Sequence, residues 1–460
     1  MIFAFSALGA LGAFCLIAVF AAGRVRGVGD YALAGGRAGA FSVCGILLGV
    51  VVAGGSTIGT AQMAYQWGVS AWWFTLGSGV GCAVLGLSFA APVRRSRLST
   101  LTGFLERCYG YPLAALTLLA SVSGTLIAMA AQFLAGVALL RSVLPVSPEL
   151  ASLAFFALIL TLIFTGGIAS FGAVGTAKAA ALYLLLAACC VKAVSMGQTP
   201  GVLWRELPLH PWFNPFARGV DRELGSFASV LAGILCAQIY IQALLAASDD
   251  RAARGGALIA AVLTPPLGLM GIWVGLALRN AGVEIEPAQA LPYFLREAFH
   301  PAAAGALWAV LAITVVGGAA GHALGVATNL TMDVYRRFSS PDGGDRHARI
   351  ALRLSRAIVV AAVAAAACLG LALRDSLILG LSYLALGLRS AGMAIPLICA
   401  IFRPNLLSPR AALASSILGL SSAVAVWLLS LPADPVIAGL AISALPLLPK
   451  LIRFMKTKRG

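Results

Sequence analysis

Charge is what this chain has least of. Asp, Glu, Lys and Arg make up 10% of its 460 residues, against 60% hydrophobic residues and a mean hydropathy of +0.96. A soluble chain of this length needs far more charge to cover its surface, which excludes a soluble globular fold. Alternating apolar segments of about ten residues are missing as well, so these are not β-barrel spans. The nine cysteines form no CxxC pair or ligand-spaced cluster; most, such as Cys189, Cys190, Cys236 and Cys399, sit inside apolar runs as small hydrophobes. No HExxH, Walker motif, haem spacing or nucleophile–base cluster is present, so the chain reads as no enzyme, with no cofactor and no resident metal. Nothing resembles a selectivity filter, which argues against a channel.

What the chain has instead is length without polarity. Apolar runs of about 20 residues recur between short polar links, each long enough to cross a bilayer as a helix. About thirteen spans fit, at 2–22, 41–67, 70–91, 112–140, 150–166, 172–195, 225–248, 256–279, 302–334, 354–372, 376–401, 409–429 and 434–452. The fifth and sixth are parted only by "GGIASFG" and are separated here on length. The first run lacks a basic segment before it and has Arg24 and Arg26 after it, so it is expected to be a retained helix and not a signal peptide.

A net charge of +16 would suggest nucleic acid in a soluble protein. Here most of the 32 lysines and arginines fall in alternate links, among them Arg24 and Arg26, Arg94 and Arg95, Lys178, Arg251 and Arg254, and the tail after 452. The bias predicts N-terminus outside and C-terminus inside. No nucleic acid is expected, and no soluble protein partner can be inferred. The chain reads as a multi-pass protein of a bacterial inner membrane whose partners are the lipid bilayer and a small organic solute. The outer link 196–224, with Trp204, Trp212, Phe213 and Phe216 between prolines, reads as an interfacial segment or an outer gate.

Four segments carry a family pattern. "GDYALAGGRAGAFSVCGILLGVVVAGGSTIGTAQMAYQWGVSAWWFTLGSGVG", "LSTLTGFLERCYG", "AASDDRAARGGALIAAVLTPPLGLMGIW" and "ATNLTMDVYRRF" occur in that order. Together they resemble the sodium:solute symporters, the proline, pantothenate and sugar symporter family. The resemblance implies an all-α polytopic fold of the LeuT-like kind with two inverted five-helix repeats. These would span 40–195 and 225–402, with an extra helix at 1–24, the 196–224 loop between them, two helices at 408–452 and a basic tail at 453–460. The second and seventh helices would then be broken. An unwound backbone offers carbonyls and amides to ligands, and it is tolerated only where it lines a cavity. Gly54 and Gly55, followed by Ser56 and Thr57, are the expected break in the second helix, and 233–238 in the seventh.

The same resemblance implies a solute site near Gly54, Gly55, Ser56 and Thr57, and a sodium site built from backbone carbonyls and a hydroxyl pair. Laid onto this chain, the carbonyls fall near Gly49, Val52 and Thr314, and the hydroxyl pair becomes Gly317 and Gly318. Both side-chain oxygens are gone. Sodium is still the expected coupling ion, with water or Thr314 completing its shell; protons carried by His322, the only histidine inside a span, or uncoupled transport are the alternatives. A transporter-like membrane sensor is the alternative from another class.

Polar groups inside the membrane need a partner or a task. Gln238 and Gln242, four residues apart, present one helical face to a solute or to another helix. Gln62 belongs to the same class. Arg389, at mid-span, must snorkel, pair, or hold an anionic group.

Overall fold

In lipid every backbone N–H and C=O must be satisfied internally, so long apolar runs become helices. The computed structural model describes residues 1–22, 37–96, 100–335, 344–429 and 431–448, with side chains described for all of these except 14–22, 165–174 and 334–349. The link around Arg24 and Arg26 and the tail 453–460 lie outside the described residues. Among the described residues the only strand-type pairing is a single bridge between Ala38 and Ala247.

The first half contains α1 (Ile2–Ala22), α2 (Ala40–Val51), α3 (Thr60–Trp67), α4 (Trp72–Val84), α5 (Leu101–Tyr109) and α6 (Tyr111–Arg141). The helical run Pro148–Ser195 follows, with apolar stretches at Pro148–Phe164 (α7) and Gly175–Ser195 (α8). The second half contains α9 (Val220–Leu235), α10 (Gln238–Leu245), α11 (Asp250–Asn280), α12 (Pro301–Asn329), α13 (Gly344–Ala372), α14 (Ile378–Phe402), α15 (Pro409–Leu428) and α16 (Pro435–Ser443). Among the described residues eight helical stretches are long and apolar enough to cross a membrane, and α9 with α10 makes a ninth, bent by 44° at Cys236–Ala237.

The run Pro148–Ser195 shows no non-helical link at the place where the fifth and sixth spans were expected to part. The direction of the chain nevertheless reverses within the run. Phe155 stacks on Phe133 near the C-terminal end of α6, and Gln198 accepts from Trp273 near the C-terminal end of α11. Those two helix ends adjoin, because Gln289, in the link after α11, donates to the Ala138 carbonyl of α6. A straight helix would hold positions 155 and 198 about 60 Å apart. The chain therefore makes two antiparallel crossings, and α8 returns alongside α11, with the Tyr183 hydroxyl donating to Leu263 O.

Candidate functional site

The first broken helix sets the geometry. α2 ends at Val51, and Val52 leaves helical geometry (φ −91°, ψ 89°) before one π-helical turn, Gly55–Gly59, leads into α3. In an unbroken helix Gly49 O would accept from Ala53 N, and Val52 O from Ser56 N. Instead Ala53 N donates to Ser56 Oγ at 2.9 Å, which frees Gly49 O. Thr57 Oγ1 donates to Ala53 O at 2.8 Å. Gly54 N donates to Gln132 Oε1 of α6 at 2.8 Å. The Ser-Thr pair and Gln132 thus satisfy the groups the break exposes, and two carbonyls of α2 remain.

Lys178 takes those two carbonyls. Its Nζ donates to Gly49 O at 2.6 Å and to Val52 O at 3.0 Å, with the residue only 2% exposed. Gly175, one turn earlier in α8, permits the approach, since a Cβ there would overlap Gly45 O and meet Gly49 Cα at 3.5 Å. The reading of Lys178 as a cytoplasmic-link residue is corrected. It lies inside α8 because close packing on α2 gives its ammonium acceptors within the bundle. Gly317 faces the same ammonium: a Cβ there would lie 3.6 Å from Lys178 Nζ. A Cβ on Gly318 would strike Ala53 Cβ. Thr314 Oγ1 donates to Val310 O of its own helix at 2.7 Å. Gly49, Val52 and Gly317 therefore meet around the buried Lys178 Nζ, a group that belongs to the protein, while Gly318 packs on Ala53 and Gln132 beside it.

Beside this corner lies a small central cavity of about 30 Å³, with Ser56, Gln132, Tyr240, His322, Ser382 and Arg389 on its wall. That is room for a water or two, so a solute needs it to widen. Gly55 also lines it, whereas Gly54 and Thr57 stand in the break behind. Arg389 is 3% exposed, with Nε donating to Ala385 O at 3.2 Å and a guanidinium NH reaching Thr125 Oγ1 at 3.5 Å. Among the described residues no carboxylate pairs with it. His322 Nδ1 lies 2.7 Å from Gly318 O.

The glutamines divide differently from the expectation. Gln62 Oε1 accepts from Ile378 N at the start of α14, and Gln238 Oε1 accepts from Leu101 N at the start of α5. With Gln132 they form a set of amides that satisfy N–H groups exposed at helix starts and breaks, where intrahelical acceptors run out. Neither Gln62 nor Gln238 lines the central cavity, and nor does Gln242, whose buried amide has no hydrogen-bond partner among the described residues.

The two ends of the bundle differ. One end carries a vestibule of about 540 Å³ bordered by Tyr65, Trp67, Trp212, Arg279 and Glu284. Arg279 lies over the rings of Trp212 and Tyr65, at 5.0 and 5.7 Å. Gly68, at φ +62°, lets the Trp212 backbone sit against it. Within the 196–224 link Trp204 is exposed and Trp212 buried, so the segment is in part a vestibule wall. The opposite end is tied by Arg94 to Asp250 at 3.0 Å and by Thr100 and Thr102 to Asp333.

A family model for the sodium:solute symporter family matches residues 31–419, most of the chain. The chain belongs to that family. No curated protein matches this symporter. Among solved structures it is similar to a Na+-coupled sialic acid symporter in a substrate-bound outward-open state, at a TM-score of 0.79 and 14% identity, over 97% of this chain and 96% of that one. It is also similar to a nucleobase-cation-symport-1 family transporter in a closed conformation with bromovinylhydantoin bound, at a TM-score of 0.63 and 14% identity over 92% and 94% of the two chains. The symporter is thus an all-helical, multi-pass membrane protein of the LeuT-like fold, and family membership makes secondary active solute transport its activity. The sequence reading missed Lys178 and Gln132. The signal for Lys178 was a lysine well inside an apolar span, on a chain whose helix 301–329 had lost its hydroxyl pair.

Proposed function

We propose that the symporter takes up a small organic solute bearing a carboxylate or similar anionic group, held in the central cavity between the broken helix α2–α3 and α14. The observation that carries this reading is Arg389. A buried guanidinium on the cavity wall, with neutral partners at 3.2 and 3.5 Å, retains most of its donors for a ligand. A planar fork of donors matches a carboxylate bidentately. Tyr240 stands on the same wall and supplies a hydroxyl. Alternating access follows from the asymmetry of the ends, one with a vestibule and one tied by ion pairs and hydrogen bonds. The lysine and arginine bias supports a cytoplasmic membrane with the N-terminus outside and the vestibule facing out. Family membership supports a cation gradient as the driver.

The test is a panel of probes on the purified protein: proline, pantothenate and N-acetylneuraminate, each a carboxylate, against glucose, which is neutral. The expected result is thermal stabilisation and exchange in proteoliposomes for at least one carboxylate, with a raised KM in Arg389→Lys. An unchanged KM in Arg389→Lys, or a response to glucose alone, defeats the anionic-solute reading.

A further inference from the structure

The cation corner of this symporter already contains a cation. Gly49 O and Val52 O, the carbonyls left open by the break, are both engaged by Lys178 Nζ. The helix opposite presents Gly317 and Gly318, which offer no side-chain oxygen, and Gly317 leaves the ammonium ordinary contact space. Sodium wants a nearly complete shell of oxygens at short distance, whereas an ammonium has only three N–H groups to satisfy. The missing hydroxyls and the inserted lysine therefore belong to one exchange of a bound ion for a tethered one.

We propose that Lys178 Nζ is the coupling site of this symporter, where a proton takes the place of sodium and drives solute uptake. The inference rests on the transport reading of the central cavity and deepens it. In the loaded state Nζ accepts a proton from water on the vestibule side and becomes –NH3+. As ammonium it donates to Gly49 O and Val52 O, holding α8 on the broken helix whose π turn lines the cavity. After the bundle opens the other way, the N–H bond breaks, the proton leaves to water on that side, and Nζ keeps the electron pair as –NH2. A neutral amine keeps two N–H donors for the two carbonyls but loses the charge that strengthens those bonds, so α8 holds α2 less firmly and the empty carrier can reset. One proton crosses per cycle and no other species is consumed.

The described titratable side chains on the elements packed against the run that contains α8 are Cys44 on α2, Tyr111 and Arg141 on α6, Asp250, Arg251, Arg254 and Arg279 on α11, Tyr293, Arg296 and Glu297 on the helix Ala290–Ala298, His322 on α12, and Arg353, Arg356 and Cys368 on α13. Among the described residues none forms an ion pair with Lys178, so its charge state is set by the carbonyl pair and by which side admits water.

Two measurements on the full-length protein test this. The first needs no solute: binding of radiolabelled sodium to the purified symporter. The wild type is expected to show no saturable binding, and the double variant Lys178→Ala with Gly317→Ser, which vacates the carbonyls and supplies a hydroxyl, is expected to gain it. Saturable sodium binding by the wild type overturns the proposal. The second measurement uses proline, pantothenate and N-acetylneuraminate in proteoliposomes. With one proton per solute, a pH difference of one unit supports about tenfold accumulation at zero sodium. Lys178→Arg, which keeps a cation but cannot release its proton, should retain solute exchange and lose accumulation. Accumulation in Lys178→Arg equal to the wild type, or wild-type accumulation driven by a sodium gradient alone, overturns the proposal. Absence of exchange for every probe in the wild type counts against the transport reading, while the sodium-binding result still decides the coupling site.

Discussion

Two cations are buried in the middle of this bundle, and they are held in opposite ways. Lys178 and Arg389 are 2% and 3% exposed, and neither has a carboxylate partner among the described residues. Lys178 has two backbone carbonyls at 2.6 and 3.0 Å for its three donors. Arg389 has five donors, one carbonyl of its own helix at 3.2 Å and a hydroxyl at 3.5 Å. A buried charge is costly unless it is hydrogen-bonded. Lys178 is therefore nearly complete as it stands, which suits a tethered group that exchanges nothing larger than a proton. Arg389 is incomplete, which suits a receptor for an anion that arrives and leaves.

The most damaging way to break the comparison is to remove the lysine's approach. Gly175→Val places a branched side chain against Gly45 O, where even a Cβ overlaps. Helices α2 and α8 must part, at about 1–3 kcal/mol or more. The expected outcome is a large loss of thermal stability, together with new reactivity of Lys178 toward an amine-specific reagent. A variant as stable as wild type would show that the close approach is not what seats the ammonium.

Matched truncations sharpen the contrast. Lys178→Met leaves Gly49 O and Val52 O buried without donors, a cost of about 1–3 kcal/mol for each group, so thermal stability should fall. Arg389→Met removes a charge whose donors are mostly unmet, and such replacements are often neutral or stabilising. Its cost should appear in solute affinity instead, at about 2–5 kcal/mol for a lost buried charge partner. If both variants lose stability to the same degree, the two cations are not held differently.

How far the chain itself discloses this site depends on which physical effect is asked about. The helical spans, the family pattern and the lack of side-chain oxygens at Gly317 and Gly318 are legible, because they follow from apolar length, ordered motifs and residue type. The glutamines show only that a polar group in the membrane needs a partner. Whether that partner is a solute or a stranded N–H, as for Gln62 at Ile378 and Gln238 at Leu101, depends on where two distant helices begin. Lys178 is the harder case. Along the chain it reads as a residue of a cytoplasmic link, and only its place within the apolar run 172–195 speaks against that. Only the glycine contact between α8 and α2 turns it inward.

A smaller effect is expected at the amide that covers the break. Gln132 Oε1 accepts from Gly54 N at 2.8 Å in a buried setting. Gln132→Leu strands that N–H at about 1–3 kcal/mol. Because the break stands at the cavity wall, solute KM should rise along with the drop in thermal stability; a stability loss with unchanged KM would limit Gln132 to a structural part. Gln132→Glu retains an acceptor for Gly54 N and should recover much of the stability.

The smallest effect is predicted at His322, the residue the sequence offers as a proton carrier. Its Nδ1 lies 2.7 Å from Gly318 O. A carbonyl only accepts, so Nδ1 carries the hydrogen and the ring is complete on that side without a second charge. The amide of a glutamine can make the same donation to the carbonyl one turn back, so His322→Gln should keep the fold and change thermal stability by about 1 kcal/mol or less. The decisive readout is transport. If the proton rides on Lys178, accumulation driven by a pH gradient at zero sodium survives in His322→Gln, with at most a change in KM from its place on the cavity wall. If accumulation is lost while exchange continues, the titrating group is the imidazole. Lys178 is then a fixed structural cation, and the contrast between the two buried charges no longer separates a coupling ion from a solute anchor.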